Sequence, residues 1–130
     1  MSGFLRILLV EDDRATCEAA QALLEADGHR VTAFPDGESA VAELERTYFD
    51  LVITDFNLAG TFCGWDVIAA AKQRAVKTIL MSAHSRESMR GPAAATPDRF
   101  VQKPPAVPLG QIIREVTGIS LGPETGPVLA

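Results

Sequence analysis

Two rhythms of apolar residues alternate along this chain. Short continuous apolar runs, closed by acidic or turn residues, read as strands buried on both faces; stretches with an apolar residue every three or four positions read as amphipathic helices. Phe4 to Val10, apolar except for Arg6, predicts a first strand, and Arg14 to Ala26, rich in Ala, Glu and Leu, predicts a helix that stops at Asp27-Gly28. Val31, Thr32 and Ala33 mark a second strand over Arg30 to Phe34. Pro35-Asp36-Gly37 is a turn, and Asp36 to Thr47 is a helix with Ala40, Val41 and Leu44 on one face. Leu51 to Thr54 is a third strand, Leu58 to Gly64 a loop, and Trp65 to Arg74 a helix that turns Val67, Ile68 and Ala71 inward. Lys77 to Met81 is a fourth strand. Ser82 to Arg90 predicts a weak helix stopped by Gly91-Pro92, and Ala93 to Pro97 is a small, irregular stretch with little to pack. Arg99 to Gln102 is a fifth strand, Lys103-Pro104-Pro105 a turn, and Leu109 to Thr117 a last helix with Ile112, Ile113 and Val116 inward.

A strand–helix pair repeated five times with short connections predicts an α/β fold in which helices cover both faces of a five-stranded parallel sheet. The chain has 130 residues, enough for one domain with a core of its own. Residues 1–117 are expected to form that domain. Residues 118–130, which hold Gly118, Gly122, Pro123, Gly126 and Pro127, are expected to be a tail without an output domain.

Charge narrows the partners. Seventeen acidic residues against 12 basic ones give a formal net charge of -5, which argues against a nucleic-acid surface. No apolar stretch reaches the ~18 residues of a membrane span, and Glu11-Asp12-Asp13 directly follows the first apolar run, unlike a signal peptide. A cytoplasmic protein is expected. Cys17 and Cys63 form no metal-like spacing with His29 or His84 and read as reduced thiols without a role. His29 reads as a turn residue, His84 as an exposed residue at the start of a helix, and Trp65 as a packing residue close to the strand ends.

The strand ends carry the candidate chemistry. In open parallel sheets the ligand crevice lies beyond the carboxyl ends of the strands. Strand one delivers Asp12 and Asp13, strand three Asp55, and strand four Ser82 with Ala83; Lys103-Pro104 follows strand five. In a doubly wound sheet, strands one and three are neighbours, so three carboxylates share one crevice. Either a carboxyl group takes up a proton or a cation binds. Oxygen ligands favour a hard cation such as Mg2+. A cation, the Lys103 ammonium and the Ser82 hydroxyl around the Asp55 carboxylate suit a phosphoryl group attacked in line by that carboxylate. Glu11 reads as a neighbour of this group rather than a ligand, and Asp13 as both a member of the group and a cap for the helix that follows.

Glu11-Asp12-Asp13, Asp55, Ser82-Ala83 and Lys103-Pro104, in this order and each at a strand end, resemble the receiver domain of two-component response regulators, and the single-domain chemotaxis type in particular. The resemblance covers roughly residues 4 to 117. It implies a doubly wound, flavodoxin-like (βα)5 sheet in the order 2-1-3-4-5 and phosphotransfer to Asp55 from a sensor histidine kinase or a histidine phosphotransfer protein. Carried over, it makes Asp55 the phosphoacceptor, Asp12 and Asp13 holders of Mg2+ together with Asp55 and the Asn57 backbone carbonyl, Ser82 and Lys103 partners of the phosphoryl oxygens, and Ser82 with Phe100 the switch pair. It also implies that the domain catalyses only its own phosphorylation and dephosphorylation, signals to an unidentified downstream protein through protein–protein contacts, and leaves homodimerisation open.

The chain departs from the pattern in places. Ala59 stands where proline is common, Gly64 falls one residue late, and Phe100 lacks a hydroxyl or imidazole. The short fourth helix predicts a short or mobile signalling face. Two other functions compete. A small Mg2+-dependent aspartyl phosphatase or phosphotransferase would place a second carboxylate where Asn57 stands, and a non-phosphorylating binding module has no need of the full Asp12, Asp13, Asp55, Ser82 and Lys103 set.

Overall fold

The computed structural model describes residues 3–119. The expected tail, residues 118–130, therefore lies almost wholly outside the described residues. Five strands, β1 (Arg6–Val10), β2 (Arg30–Phe34), β3 (Leu51–Asp55), β4 (Lys77–Ser82) and β5 (Arg99–Gln102), form one parallel sheet in the order β2-β1-β3-β4-β5. The helices among the described residues are α1 (Arg14–Ala26), α2 (Gly37–Arg46), α3 (Gly64–Gln73) and α4 (Leu109–Thr117).

Each central strand is apolar on both faces because each face meets helices. Ile7, Leu9, Leu51, Ile53 and Ile79 pack with Leu24 of α1 and with Ile112 and Ile113 of α4. Leu8, Val10 and Val52 pack on the other face with Ala40 and Leu44 of α2 and with Val67 and Ala71 of α3. At roughly 25 cal/mol per Å2 of apolar surface removed from water, these two layers are the main favourable contribution to the fold.

Polar staples join the strands at their amino ends. The Leu5 N–H donates to His29 Nδ1 (2.9 Å) just ahead of β1 and β2. The Arg6 N–H donates to Asp50 Oδ2 (2.8 Å), and the Asp50 N–H returns a bond to the Arg6 carbonyl (2.8 Å). Asp98 accepts from the Thr78 N–H (2.8 Å), while its own N–H donates to Thr78 Oγ1 (2.9 Å). His29 is therefore no simple turn residue. It is buried, at 4% exposure, because Leu5 ahead of the first strand needs an acceptor.

The fourth helix did not form. Between β4 and β5 the chain makes two single 3-10 turns, Arg86–Ser88 and Ala93–Ala95. Gly91 and Pro92 prevent a continuous helix, since proline has no N–H to give and glycine loses the most freedom in a helix. The stretch nonetheless packs: Ala95 is fully buried against Ile68 and Leu80. The Cα of Gly91 lies so close to the Trp65 indole that a Cβ there would approach it to 2.6 Å.

Candidate functional site at the carboxyl ends of the strands

Register sets the site. Val10 of β1 pairs with Thr54 of β3, Asp55 of β3 with Met81 of β4, and Ser82 of β4 with Gln102 of β5. The strands therefore end level, and the residues that follow them meet in one crevice. The Phe56 N–H continues the ladder to the Met81 carbonyl (2.8 Å), and the Lys103 N–H to the Ser82 carbonyl (2.7 Å). The Lys103-Pro104 peptide bond is cis.

Asp55 ends the most buried strand and is itself only 9% exposed. Lys103 Nζ stands 2.9 Å from Asp55 Oδ1 and 3.6 Å from Glu11 Oε1. Glu11, Asp12 and Asp55 each bring a carboxylate oxygen within 4.8 Å of the others, a donor set able to hold a metal ion. Three carboxylates face one ammonium, so the crevice carries excess negative charge at its centre. All its acidic donors are hard oxygens, which fits a divalent cation that prefers oxygen.

Burial pushes the Glu11 carboxyl above its ordinary range, the Asp13 N–H that Glu11 accepts pulls it back, and the neighbouring Asp55 charge adds to the rise. Burial works against the Lys103 ammonium, but its bond to Asp55 and the charges of Asp55 and Glu11 outweigh it and raise its pKa.

Of the two roles open to Asp13, ligand and helix cap, the structure shows the cap. Its carboxylate turns away to cap α1, accepting from the Thr16 N–H (2.9 Å) and the Thr16 hydroxyl. Those two bonds hold its carboxyl below the usual range. The position beside Asp12 and Asp55 belongs to Glu11, read from sequence as a bystander. Sequence alone offered three acids in a row; the signal that separates them is Asp-x-x-Thr, an N-cap pattern in which the aspartate is claimed by the helix.

Ser82 is buried, and its Oγ accepts from the His84 N–H (3.1 Å), lies 3.4 Å from His84 Nδ1 and reaches Met89 Sδ at 3.8 Å. His84 is exposed and starts no helix. Asn57 is exposed, two residues beyond Asp55. Phe100 is half-buried against Ile68, Leu80 and Ala95. With Trp65 and Met89 it lines a cavity of about 200 Å3 in the space where a fourth helix was expected. Trp65 meets Phe56, the residue after Asp55, edge to face at 5.4 Å. Sequence reasoning missed Glu38, whose carboxylate accepts from the N–H and hydroxyl of Thr61 (2.8 and 2.7 Å) and grips the loop after β3.

A family model described as the response regulator receiver domain matches residues 7–113. Over 70 residues, 54% of this chain, the sequence is 40% identical to the sensor histidine kinase AruS of Pseudomonas aeruginosa, of which it spans 7%. Over 82 residues, 62% of this chain, it is 35% identical to the sensory transduction protein RegX3 of Mycolicibacterium smegmatis, of which it spans 36%. The chain thus corresponds to a minor part of either relative. The crystal structure of the receiver domain of sensor histidine kinase PA1611 from Pseudomonas aeruginosa matches with a TM-score of 0.77 at 27% identity, over 89% of this chain and 99% of that one. That domain holds a magnesium ion coordinated in its active site cleft.

Proposed function

We propose that this chain, which belongs to the response regulator receiver domain family, accepts a phosphoryl group on Asp55 from a phosphohistidine of a sensor histidine kinase or histidine phosphotransfer protein, and signals through protein–protein contacts. The observation that carries this is the 2.9 Å approach of Lys103 Nζ to an Asp55 carboxylate that ends the central strand beside Glu11 and Asp12.

Glu11, Asp12 and Asp55 would hold Mg2+ through their carboxylates, and Asn57 would add its backbone carbonyl. When bound, the cation would supply positive charge to the phosphoryl oxygens beside the Asp55 carboxylate. An Asp55 oxygen attacks phosphorus as the P–N bond to the histidine breaks; the leaving imidazole keeps the bonding pair and takes a proton from water. Lys103 moves from the carboxylate oxygen it now pairs to a phosphoryl oxygen. Ser82 donates its hydroxyl to another, exchanging its contacts with His84 and Met89 for that bond. Phe100 follows Ser82 by packing alone, because it has no hydroxyl to bond. Water attacking phosphorus later returns Asp55 and inorganic phosphate, so the domain catalyses only its own phosphorylation and dephosphorylation.

Intact mass after exposure to a small phosphodonor with Mg2+ tests this. Wild type gains one phosphoryl adduct and Asp55→Asn gains none. An adduct that persists in Asp55→Asn, or none in wild type with Mg2+ bound, overturns the assignment.

A further inference from the structure

The segment that follows Asp55 is held by α2, from across the fold. Three consecutive residues, the N-cap Asp36 and the first two residues of α2, grip residues 58–62. Asp36 forms an isolated parallel bridge with Ala59. Gly37 lies against Phe62 and Leu58, where an added Cβ would come to 2.7 Å of Phe62 Cβ and 3.5 Å of Leu58 Cδ1. Glu38 closes the grip: Oε2 accepts from the Thr61 N–H at 2.8 Å and from the Thr61 hydroxyl at 2.7 Å. Both its oxygens come within 2.8 Å of where a Cβ on Gly60 would stand, and Gly60 has a φ of +87° that favours glycine in any case. Among the described residues Glu38 Oε1 is buried without a hydrogen-bond partner, so it is Oε2 and its two bonds from Thr61 that hold the carboxylate to the loop. Asn57, the residue just before the gripped stretch, is the one ligand in the proposed set that contributes backbone. A side-chain ligand can reorient on its own; a backbone carbonyl goes where its loop goes.

We propose that Glu38 is a positioning residue for the metal: by clamping Gly60 and Thr61 it fixes the loop that presents the Asn57 carbonyl. Groups that orient a metal's ligands without touching the ion affect affinity strongly, because the site must otherwise order those ligands when the ion binds. This inference rests on the assignment of Mg2+ to the Glu11, Asp12 and Asp55 crevice.

The test is calorimetric titration of Mg2+ into wild type, Glu38→Gln, Glu38→Ala and Thr61→Val, without phosphodonor, alongside thermal unfolding of each in chelator. Glu38→Gln retains an oxygen acceptor for Thr61 and is expected to bind Mg2+ within about threefold of wild type. Glu38→Ala is expected to bind about 10- to 100-fold more weakly, and Thr61→Val to fall between the two. Amide exchange at Thr61 should quicken in the order of the losses. Should Glu38→Ala fail to fold, Thr61→Val against wild type carries the comparison. Equal weakening in Glu38→Gln and Glu38→Ala overturns positioning in favour of a through-space effect of the carboxylate charge, and unchanged affinity in Glu38→Ala overturns it outright. Wild type that binds no Mg2+ instead overturns the metal assignment on which the inference stands.

Discussion

Lys103 Nζ and Asp55 Oδ1 stand 2.9 Å apart, so the ammonium occupies the place where a phosphoryl oxygen or a cation would meet the carboxylate. The same lysine reaches Glu11 at 3.6 Å and, among the described residues, is the lone cation paired with the acidic group. In the proposed reaction it would do two opposed things: compete with a metal for the carboxylates, and supply positive charge to the phosphoryl group.

Replacing it separates the two. Lys103→Met is expected to bind Mg2+ more tightly than wild type, because the carboxylates lose their internal counterion. It should nonetheless accept phosphate about 100-fold more slowly, the loss that follows removal of one oxyanion-stabilising donor. Mg2+ titration followed by the fluorescence of Trp65, the single tryptophan, and a phosphorylation time course measure the two effects. A fall in both would mean that Lys103 holds the crevice together.

The acids after β1 divide by role. Asp12→Asn and Glu11→Gln are expected to weaken Mg2+ binding, whereas Asp13→Ala removes the α1 cap and lowers the unfolding midpoint with a smaller change in metal affinity. The same titration, paired with thermal unfolding in chelator, checks this. Loss of Mg2+ binding in Asp13→Ala alone would return Asp13 to the ligand set.

Stability should fall as pH drops below about 6.5, and His29 is the cause. Burial holds its imidazole below the ordinary value of 6.5, and only the neutral ring can accept the Leu5 N–H on Nδ1. Above that value neither folded nor unfolded His29 carries a proton and pH has no effect through it. Below it the unfolded chain takes up a proton that the folded chain refuses, so stability is lost at up to about 1.4 kcal/mol per pH unit until the lower folded pKa is reached. Urea unfolding of wild type and His29→Gln between pH 8 and 5.5 measures it, and the variant should show the flatter profile.

Ala75, just past the end of α3, has a φ of +59°. An L-residue in that left-handed conformation costs about 1–2 kcal/mol, while glycine adopts it freely but gives up more chain entropy on folding. Ala75→Gly is therefore expected to stabilise the protein by about 0.5–1 kcal/mol, read from the midpoint of urea unfolding. Ala75→Val should destabilise it.

Much of the molecule was legible in the chain. The β1 and β3 runs are apolar on successive residues, which only a strand covered on both faces tolerates, and this fixes a parallel sheet with helices on either side. That Asp12, Asp55 and Lys103 come together was readable because each closes or follows such a run, and strand ends in this architecture lie together. Glu11 was missed as part of the cluster: Asp13-x-x-Thr16 marks the acid that the helix claims, but which way the other two point after Val10 is set by the chain's turn there. The missing fourth helix was half-visible: Gly91-Pro92 marked the stop, but Ala95 is buried by Ile68 and Leu80, and such contacts leave no periodic trace. Glu38 left no signal at all, since its partner Thr61 lies 23 residues away.

The staples at the amino ends of the strands have a reach beyond the edge where they sit. A strand apolar on both sides lacks the polar face that elsewhere marks which residue points to solvent, so its alignment leans more on packing and on polar contacts at its ends. Asp50 against Arg6, Asp98 against Thr78 and His29 against Leu5 supply such contacts, and each strand carries the alignment about 16 Å to its other end. A substitution at this distant rim would therefore act as a fault of alignment, leaving every reactive group present but displaced from its partner.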